Sequence, residues 1–288
     1  MGKLPPSSAT ISALGRGLGP EVLAACQQIF GEEQLRLAEE MPVAANDLAF
    51  GPDERQKLDL YRSASASPRP VLMWVHGGGF LRGDKAAPGS PFNAHIGRWA
   101  ARNGMVGAVI NYRLAPASQW PSGVEDVAAA VDWLRGEGPA HGINPKNIVL
   151  AGTSAGAVHI AGYLAAHAEA PVAGAVLLSG LYGFTDLDDR DCLYYGDKAD
   201  YPQRMPRDGI VGTKLPLFIA SAEHDPIRFQ REYVALLAAR LERHGALPAS
   251  GVTAGHNHFT LAMHIGSRDT RLADQILGFI AGLDGEST

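Results

Sequence analysis

The chain has 288 residues, of which 46% are apolar and 19% charged, and it carries a formal net charge of −5. That length and balance suit one large α/β domain able to bury its core without disulfides, and they exclude a disordered chain. The aliphatic runs are too short to span a bilayer, and no lysine- or arginine-rich block offers nucleic acid an electrostatic footprint. The expected partner is therefore a small, neutral or weakly polar molecule, with no nucleic acid and no stable membrane insertion.

In chain order, "MGKLPPSSATISALGRGLGP" has no continuous apolar stretch of the secretory kind, so a cytoplasmic location is expected. Gly2 raises the question of N-myristoylation, but Pro6 stands where that motif wants Ser or Thr. From about Ile11 to Glu40 the chain leans helical, with Val22, Leu23 and Cys26 at three- to four-residue spacing, and residues 1–45 read as an arm that lies over the rest. Cys26 and Cys192 are far apart and form no CxxC pair; they exclude a disulfide scaffold and leave two buried thiols or a single bridge.

Beyond the loop "SASASPRP" (Ser63 to Pro70), short apolar strands alternate with helical patterns. "VLMWV" ends at Val75, "VGAVINY" at Tyr112, "NIVLA" at Ala151, "AVLLS" at Ser179 and "PLFIAS" at Ser221. Helical spacing follows from Val124, Ala155, Phe229 and Thr270, the last with Leu272, Ile276, Ile280 and Leu283 on one face. Such alternation predicts a doubly wound, mostly parallel α/β sheet, whose sites sit at the carboxyl ends of the strands.

Two of those strand ends carry chemistry. "NIVLA" runs into "GTSAG", Gly152 to Gly156, a G-x-S-x-G turn between strand and helix that would present Ser154 at a helix N-terminus. "VLMWV" runs into "HGGGF", His76 to Phe80, a turn that aims backbone amides at an oxyanion. The amides of Gly78, Gly79 and Ala155 are assigned to that hole, and His76 to anchoring its loop.

A serine needs a histidine base, and the base needs a carboxylate, in the order Ser, acid, His. Asp225 in "AEHDPIR" follows a strand and doubles as N-cap of the next helix, with Glu223 as its backup. The run "DLDDRD" (Asp186 to Asp191) reads as a solvated surface, without the Gly and Glu placement of a calcium loop. The base must come from "GHNHFTLAMH", Gly255 to His264. His256 and His258 form an H-x-H pair, but no further ligand at metal-like spacing is evident, so no metal is expected.

With "HGGGF", "GTSAG", "EHDP" and "NYRLAP" followed by "WPSGVEDV", the chain resembles the hormone-sensitive-lipase-like and carboxylesterase branch of the α/β-hydrolases, from about Asp47 to Leu283. Thr153 before the serine and Phe259 directly after His258 look more like the related arylformamidases and small carboxylesterases. The resemblance implies an α/β-hydrolase fold of about eight mostly parallel strands, with residues 46–288 as the catalytic domain and the arm as a small cap. It also implies that His258 is the base, with His256 the runner-up and His264 a packed or partly exposed bystander.

The implied activity is a serine carboxylesterase acting on short- to medium-chain esters through an acyl-enzyme, with water as second substrate and no cofactor. A formamidase or amidase with the same triad is the alternative, and a ligand-binding receptor on the same fold a third reading. Tyr182, Phe184, Tyr194 and Tyr195, between Leu181 and Thr213, either help the cap or pack a long connection. A homodimer is compatible with the sequence.

Overall fold

The computed structural model describes residues 8–65 and 67–283; Gly2 and Pro6, on which the myristoylation reading turns, lie outside the described residues, as does Ala66 of the serine-rich loop. Over those residues the strands are β1 (Ala45–Ala49), β2 (Lys57–Tyr61), β3 (Arg69–Val75), β4 (Val106–Ile110), β5 (Ile143–Thr153), β6 (Gly174–Leu178), β7 (Leu217–His224) and β8 (Ala249–Asn257). They form one sheet in the order β1-β2-β4-β3-β5-β6-β7-β8. Only β2 runs against its neighbours, and every pair from β4 across to β8 is parallel.

The apolar runs follow from burial on both faces. In β3, Val71, Met73 and Val75 enter one core cluster while Leu72 and Trp74 enter the other. Parallel strands covered by helices on both sides have no solvated face to mark with polar residues. The five expected strands are β3 to β7. Neither β1 nor β2 was anticipated, and β1, a partly exposed edge strand, has no such run to betray it. β7 also continues past Ser221 to His224, because β8 pairs along it as far as that residue.

The arm consists of α1 (Ser8–Ala13) and α2 (Pro20–Glu40). Along α2, Cys26, Phe30, Gln34 and Leu37 form one buried stripe at helical spacing. Cys26 and Phe30 pack with Ile11, Phe92 and Met263, and Gln34 Nε2 donates to the carbonyls of Met263 (2.9 Å) and Ile265 (3.0 Å). α3 (Ala94–Arg102) packs on one face of the sheet, and α4 (Ser122–Gly136) and α5 (Ala155–Ala166) on the other. Short helices α6 (Cys192–Tyr195), α7 (Tyr201–Arg204) and α8 (Arg207–Gly212) fill the connection from β6 to β7. α9 (Ile227–His244) joins the α4 and α5 face, α10 (Thr260–Met263) follows β8, and α11 (Arg271–Leu283) packs on the opposite face, the one that α3 covers.

Cys26 is buried and Cys192 half-buried, and both thiols are free, which removes the single bridge. Among the described residues no helix is long and apolar enough to cross a membrane.

Candidate active site

β5 ends at Thr153 and α5 starts at Ala155, so Ser154 alone turns the chain, with φ +52° and ψ −122°. A side-chain-bearing residue rarely takes that conformation, and it survives here because its surroundings over-determine it. Ser154 N–H donates to Leu178 O at 2.8 Å. A Cβ on Gly156 would lie 2.0 Å from Val75 O, so α5 can approach β3 this closely only without one. Ser154 faces a cavity of about 580 Å³ together with Gly77, Gly78, Gly79, Ala155 and His258.

The glycine loop curls over that cavity. Gly78 has φ +134°, and a Cβ there would overlap Arg82 O at 1.8 Å. Among the described residues, no carbonyl of the chain takes the N–H of Gly78 or Gly79. His76 is fully buried beneath the loop, with Nδ1 2.7 Å from Gly77 O and its ring 4.4 Å from that of Tyr112. Burial pushes it down to about 4, so it stands neutral, as a loop anchor would.

His159 was not anticipated by sequence reasoning. Burial pushes it to about 3, and it packs edge-on to Phe80 and Tyr112 behind the glycine loop. A lone histidine in the alanine-rich α5 gives no sign of that position. At the far end of the loop, Lys85 Nζ reaches Asp59 (2.7 Å) and Asp47 (2.9 Å), pinning it to β2 and β1.

Asp225 lies where β7 gives way to α9. Its Oδ1 is 2.8 Å from His258 Nδ1, while Oδ2 accepts from Ser179 Oγ (2.5 Å), Ser221 Oγ (2.7 Å) and Ala222 N (2.8 Å). Burial alone would raise this carboxyl. The hydrogen bond and charge of His258, with the donors from Ser179 and Ala222, outweigh that and hold it below the usual carboxylate range. Its expected second role is not realised: Pro226 occupies the N-cap position of α9, without a side-chain cap, and the carboxylate is committed to His258 and the two serines. Ser179 and Ser221 were legible only as strand ends; β6 and β7, lying side by side, bring them onto one oxygen.

Glu223 is not the carboxylate that meets His258; its Oε2 accepts from Gly255 N at 2.6 Å and lies 4.0 Å from His224 Nε2. Asn257 shapes the turn carrying His258, its Oδ1 accepting from the amides of Phe259 (3.2 Å) and Thr260 (3.0 Å). His256 and His264 are both buried and do not line the cavity. The expectation that the H-x-H pair has no ligand-like company fails in space. Asp269 and His264 come to His256, with one ligand atom from each within 4.8 Å of the others, although His264 is eight positions on and Asp269 thirteen.

"DLDDRD" is not merely a solvated surface. Asp188 and Asp191 hold Arg228 Nη1 at 2.6 and 2.8 Å, and Asp188, Arg190 and Asp191 form part of the cavity wall. Buried Glu232, on α9, accepts the amides of Tyr182 (2.7 Å), Gly183 (3.1 Å), Phe184 (3.0 Å) and Thr185 (2.7 Å). With the Thr185 hydroxyl (2.5 Å) as a fifth donor, this one carboxylate sets the start of the β6–β7 connection. Tyr182, Tyr194 and Tyr195 are buried, the last two against Phe80. On the opposite side the arm brings Leu18, Leu23 and Gln27 to the cavity, and Arg16 Nη1 donates to Asp225 O at 3.3 Å.

The BD-FAE family profile matches residues 58–190. Esterase LipC of Mycobacterium tuberculosis is 32% identical over 168 residues, which cover 54% of this chain and 40% of that protein. Carboxylesterase NlhH of the same organism is 30% identical over 190 residues, 55% of this chain and 57% of that one. The chain thus spans less than two thirds of either relative. Esterase B from Lactobacillus rhamnosis has a similar structure, with a TM-score of 0.73 at 19% identity over 93% of this chain and 97% of that one.

Proposed function

We propose that the chain, which has the fold of the α/β-hydrolases and resembles their hormone-sensitive-lipase-like carboxylesterase branch, hydrolyses carboxylic esters through an acyl-enzyme on Ser154. The observation that carries this reading is His258, held by Asp225 through Nδ1 and facing the same cavity as Ser154 and the glycine loop.

With the Nδ1 proton directed at Asp225, His258 Nε2 is the basic nitrogen. Ser154 Oγ attacks the ester carbonyl carbon as Nε2 takes its proton, and the carbonyl electron pair moves onto oxygen, where the amides of Gly78, Gly79 and Ala155 stabilise it. Collapse restores the carbonyl and expels the alcohol, which takes the proton from His258. Water, deprotonated by the same nitrogen, then attacks the acyl-enzyme; the second collapse frees the acid and returns the proton to Ser154. Asp225 stays ionised throughout and steadies the imidazolium.

A cavity of about 580 Å³ with Leu23, Phe92, Phe229, Phe259 and Met263 in its walls suits a short- to medium-chain acyl group. The arm acts as a cap, with Leu18, Leu23 and Gln27 supplying one of those walls. His76 serves as an anchor rather than a proton carrier.

Ser154→Ala, assayed on p-nitrophenyl acetate and butyrate, should lower kcat by at least about 10³-fold. His258→Ala should do likewise, while His256→Ala keeps most of the rate. An undiminished rate in the serine variant removes Ser154 from the mechanism, and loss confined to the His256 variant moves the base. Faster turnover of an aryl formamide than of either ester would favour the amidase reading.

A further inference from the structure

Apart from the cores on the two faces of the sheet, a smaller apolar cluster forms where β3, β4 and β5 end, made by Phe80, Ala115, Ala155, Val158, Tyr194 and Tyr195. Its members bring together three parts of the chain. Phe80 closes the glycine loop, Ala155 and Val158 begin α5, and Tyr194 and Tyr195 belong to α6 in the β6–β7 connection. The Tyr194 ring lies flat on that of Phe80, with 4.4 Å between centroids and 10° between planes. Tyr195 and His159 meet Phe80 edge-on instead, at 5.4 and 5.3 Å. Apolar contact alone leaves orientation loose, whereas a stacked pair fixes the angle between its rings.

Phe80 needs such a hold. Its φ of +67° lies in the left-handed region, which a residue with a large side chain seldom adopts, and it directly follows Gly78 and Gly79. On the main chain, Phe80 O accepts from Ala115 N at 3.0 Å and Gly78 O from Leu81 N at 3.3 Å. The stack secures the side chain. Tyr194 is itself fixed at both ends against the turn that begins α4: its carbonyl accepts from Trp120 N at 2.9 Å and its hydroxyl from Gly123 N at 3.3 Å. Phe80 lines the cavity, but Tyr194 does not.

We propose that Tyr194 is a positioning residue for the oxyanion hole: through the face of Phe80 it holds the amides of Gly78 and Gly79 in register with that of Ala155, a role that rests on the acyl-enzyme reading above. Donors aimed in advance at a developing charge need no rearrangement when it forms, which is what gives them their value. They act on the oxyanion more than on the neutral carbonyl, so their loss lowers kcat more than it raises KM. Acylation and deacylation both pass through an oxyanion, so kcat falls whichever step limits the rate. The β6–β7 connection then helps to set the catalytic geometry as well as to wall the cavity.

Tyr194→Leu keeps apolar bulk and loses the stack, while Tyr194→Phe keeps the ring and loses only the hydroxyl. On p-nitrophenyl butyrate, Tyr194→Leu should lower kcat by about tenfold to a hundredfold with KM within about twofold, and Tyr194→Phe should stay within about threefold of the unmodified chain. A pentyl trifluoromethyl ketone provides a second readout. Ser154 Oγ adds to its carbonyl carbon, the hydroxyl proton passes to His258, and the carbonyl electron pair moves onto the oxygen in the hole. Its affinity should fall by at least about tenfold in Tyr194→Leu, while pentyl methyl ketone, which forms no stable adduct, binds unchanged. Phe80→Leu removes the same stack from the other partner and should weaken the first ketone relative to the second, which decides the matter should Tyr194→Leu not fold; circular dichroism and thermal midpoints report folding. A folded Tyr194→Leu chain with undiminished kcat and trifluoromethyl ketone affinity overturns the proposal. So does equal weakening of both ketones, which marks damage to the pocket, or a Tyr194→Phe chain as slow as Tyr194→Leu. An undiminished ester rate in Ser154→Ala overturns the acyl-enzyme reading, and this proposal with it.

Discussion

Ser179 donates its hydroxyl to Asp225 Oδ2 across 2.5 Å, from a backbone with φ +46° that a non-glycine residue seldom adopts. Such strain is held where the surrounding structure fixes it, here at the end of β6 beside β7. A hydrogen bond to a charged group is worth roughly 1.5–3 kcal/mol, so Ser179→Ala should lower kcat by about tenfold. KM should stay near its original value, because Ser179 does not line the cavity. A change in KM alone would show that Ser179 shapes the pocket and not the carboxylate.

The same carboxylate sets an acid limit to stability. Because Asp225 is held below the usual carboxylate range in the folded chain, its contribution is full above the unfolded value of about 3.9 and is lost as pH falls through the lower, folded value. Thermal midpoints of the unmodified chain and Asp225→Asn, compared between pH 6 and pH 3, should show the smaller acid-induced fall in the variant. Parallel falls would mean that other carboxylates govern acid unfolding.

Lys85 and Asp59 make a buried ion pair, with side chains 7% and 3% exposed. Removing one partner strands the other charge, so Lys85→Met should cost about 3–5 kcal/mol in urea unfolding. Adding Asp59→Asn should recover part of that loss. An additive double variant would show that the two side chains are not coupled.

Gly156 and Gly278 predict opposite outcomes for the same substitution. At Gly156 the new methyl meets the Val75 carbonyl oxygen, so Gly156→Ala should destabilise by at least about 1–3 kcal/mol and cut activity by moving Ser154. Gly278 lies within α11, and a Cβ there meets nothing within 4 Å. Gly278→Ala should therefore stabilise by about 0.4–1 kcal/mol. Thermal melts of the two variants beside the unmodified chain decide both.

What the sequence revealed follows from what each feature depends on. β3 to β7 were legible because strands buried on both faces read as apolar runs, whereas β1, half-solvated at an edge, did not. Ser154 and the glycine loop were legible because their geometry is local and the small residues it demands are contiguous. Ser179, Glu232 and Lys85 were not, since their partners are supplied by neighbouring strands and helices. "DLDDRD" looked solvated for the same reason: its partner, Arg228, lies about forty positions later. The three-histidine window hid two separate groups: an uninterrupted strand would put His256 and His258 on one face, but β8 ends at Asn257 and the chain turns there, which parts them.

The arm's contacts reach almost the full length of the chain. Gln34 meets Met263 across 229 positions, and Cys26 meets Asn257 across 231. Contacts closing so large a loop form late, after the entropy of bringing distant segments together has been met. During synthesis α1 and α2 cannot complete their packing until β8 and α10 have been made. The wall that the arm contributes therefore closes among the last parts of the cavity, and a nascent chain carries Ser154 long before the space in front of it is enclosed.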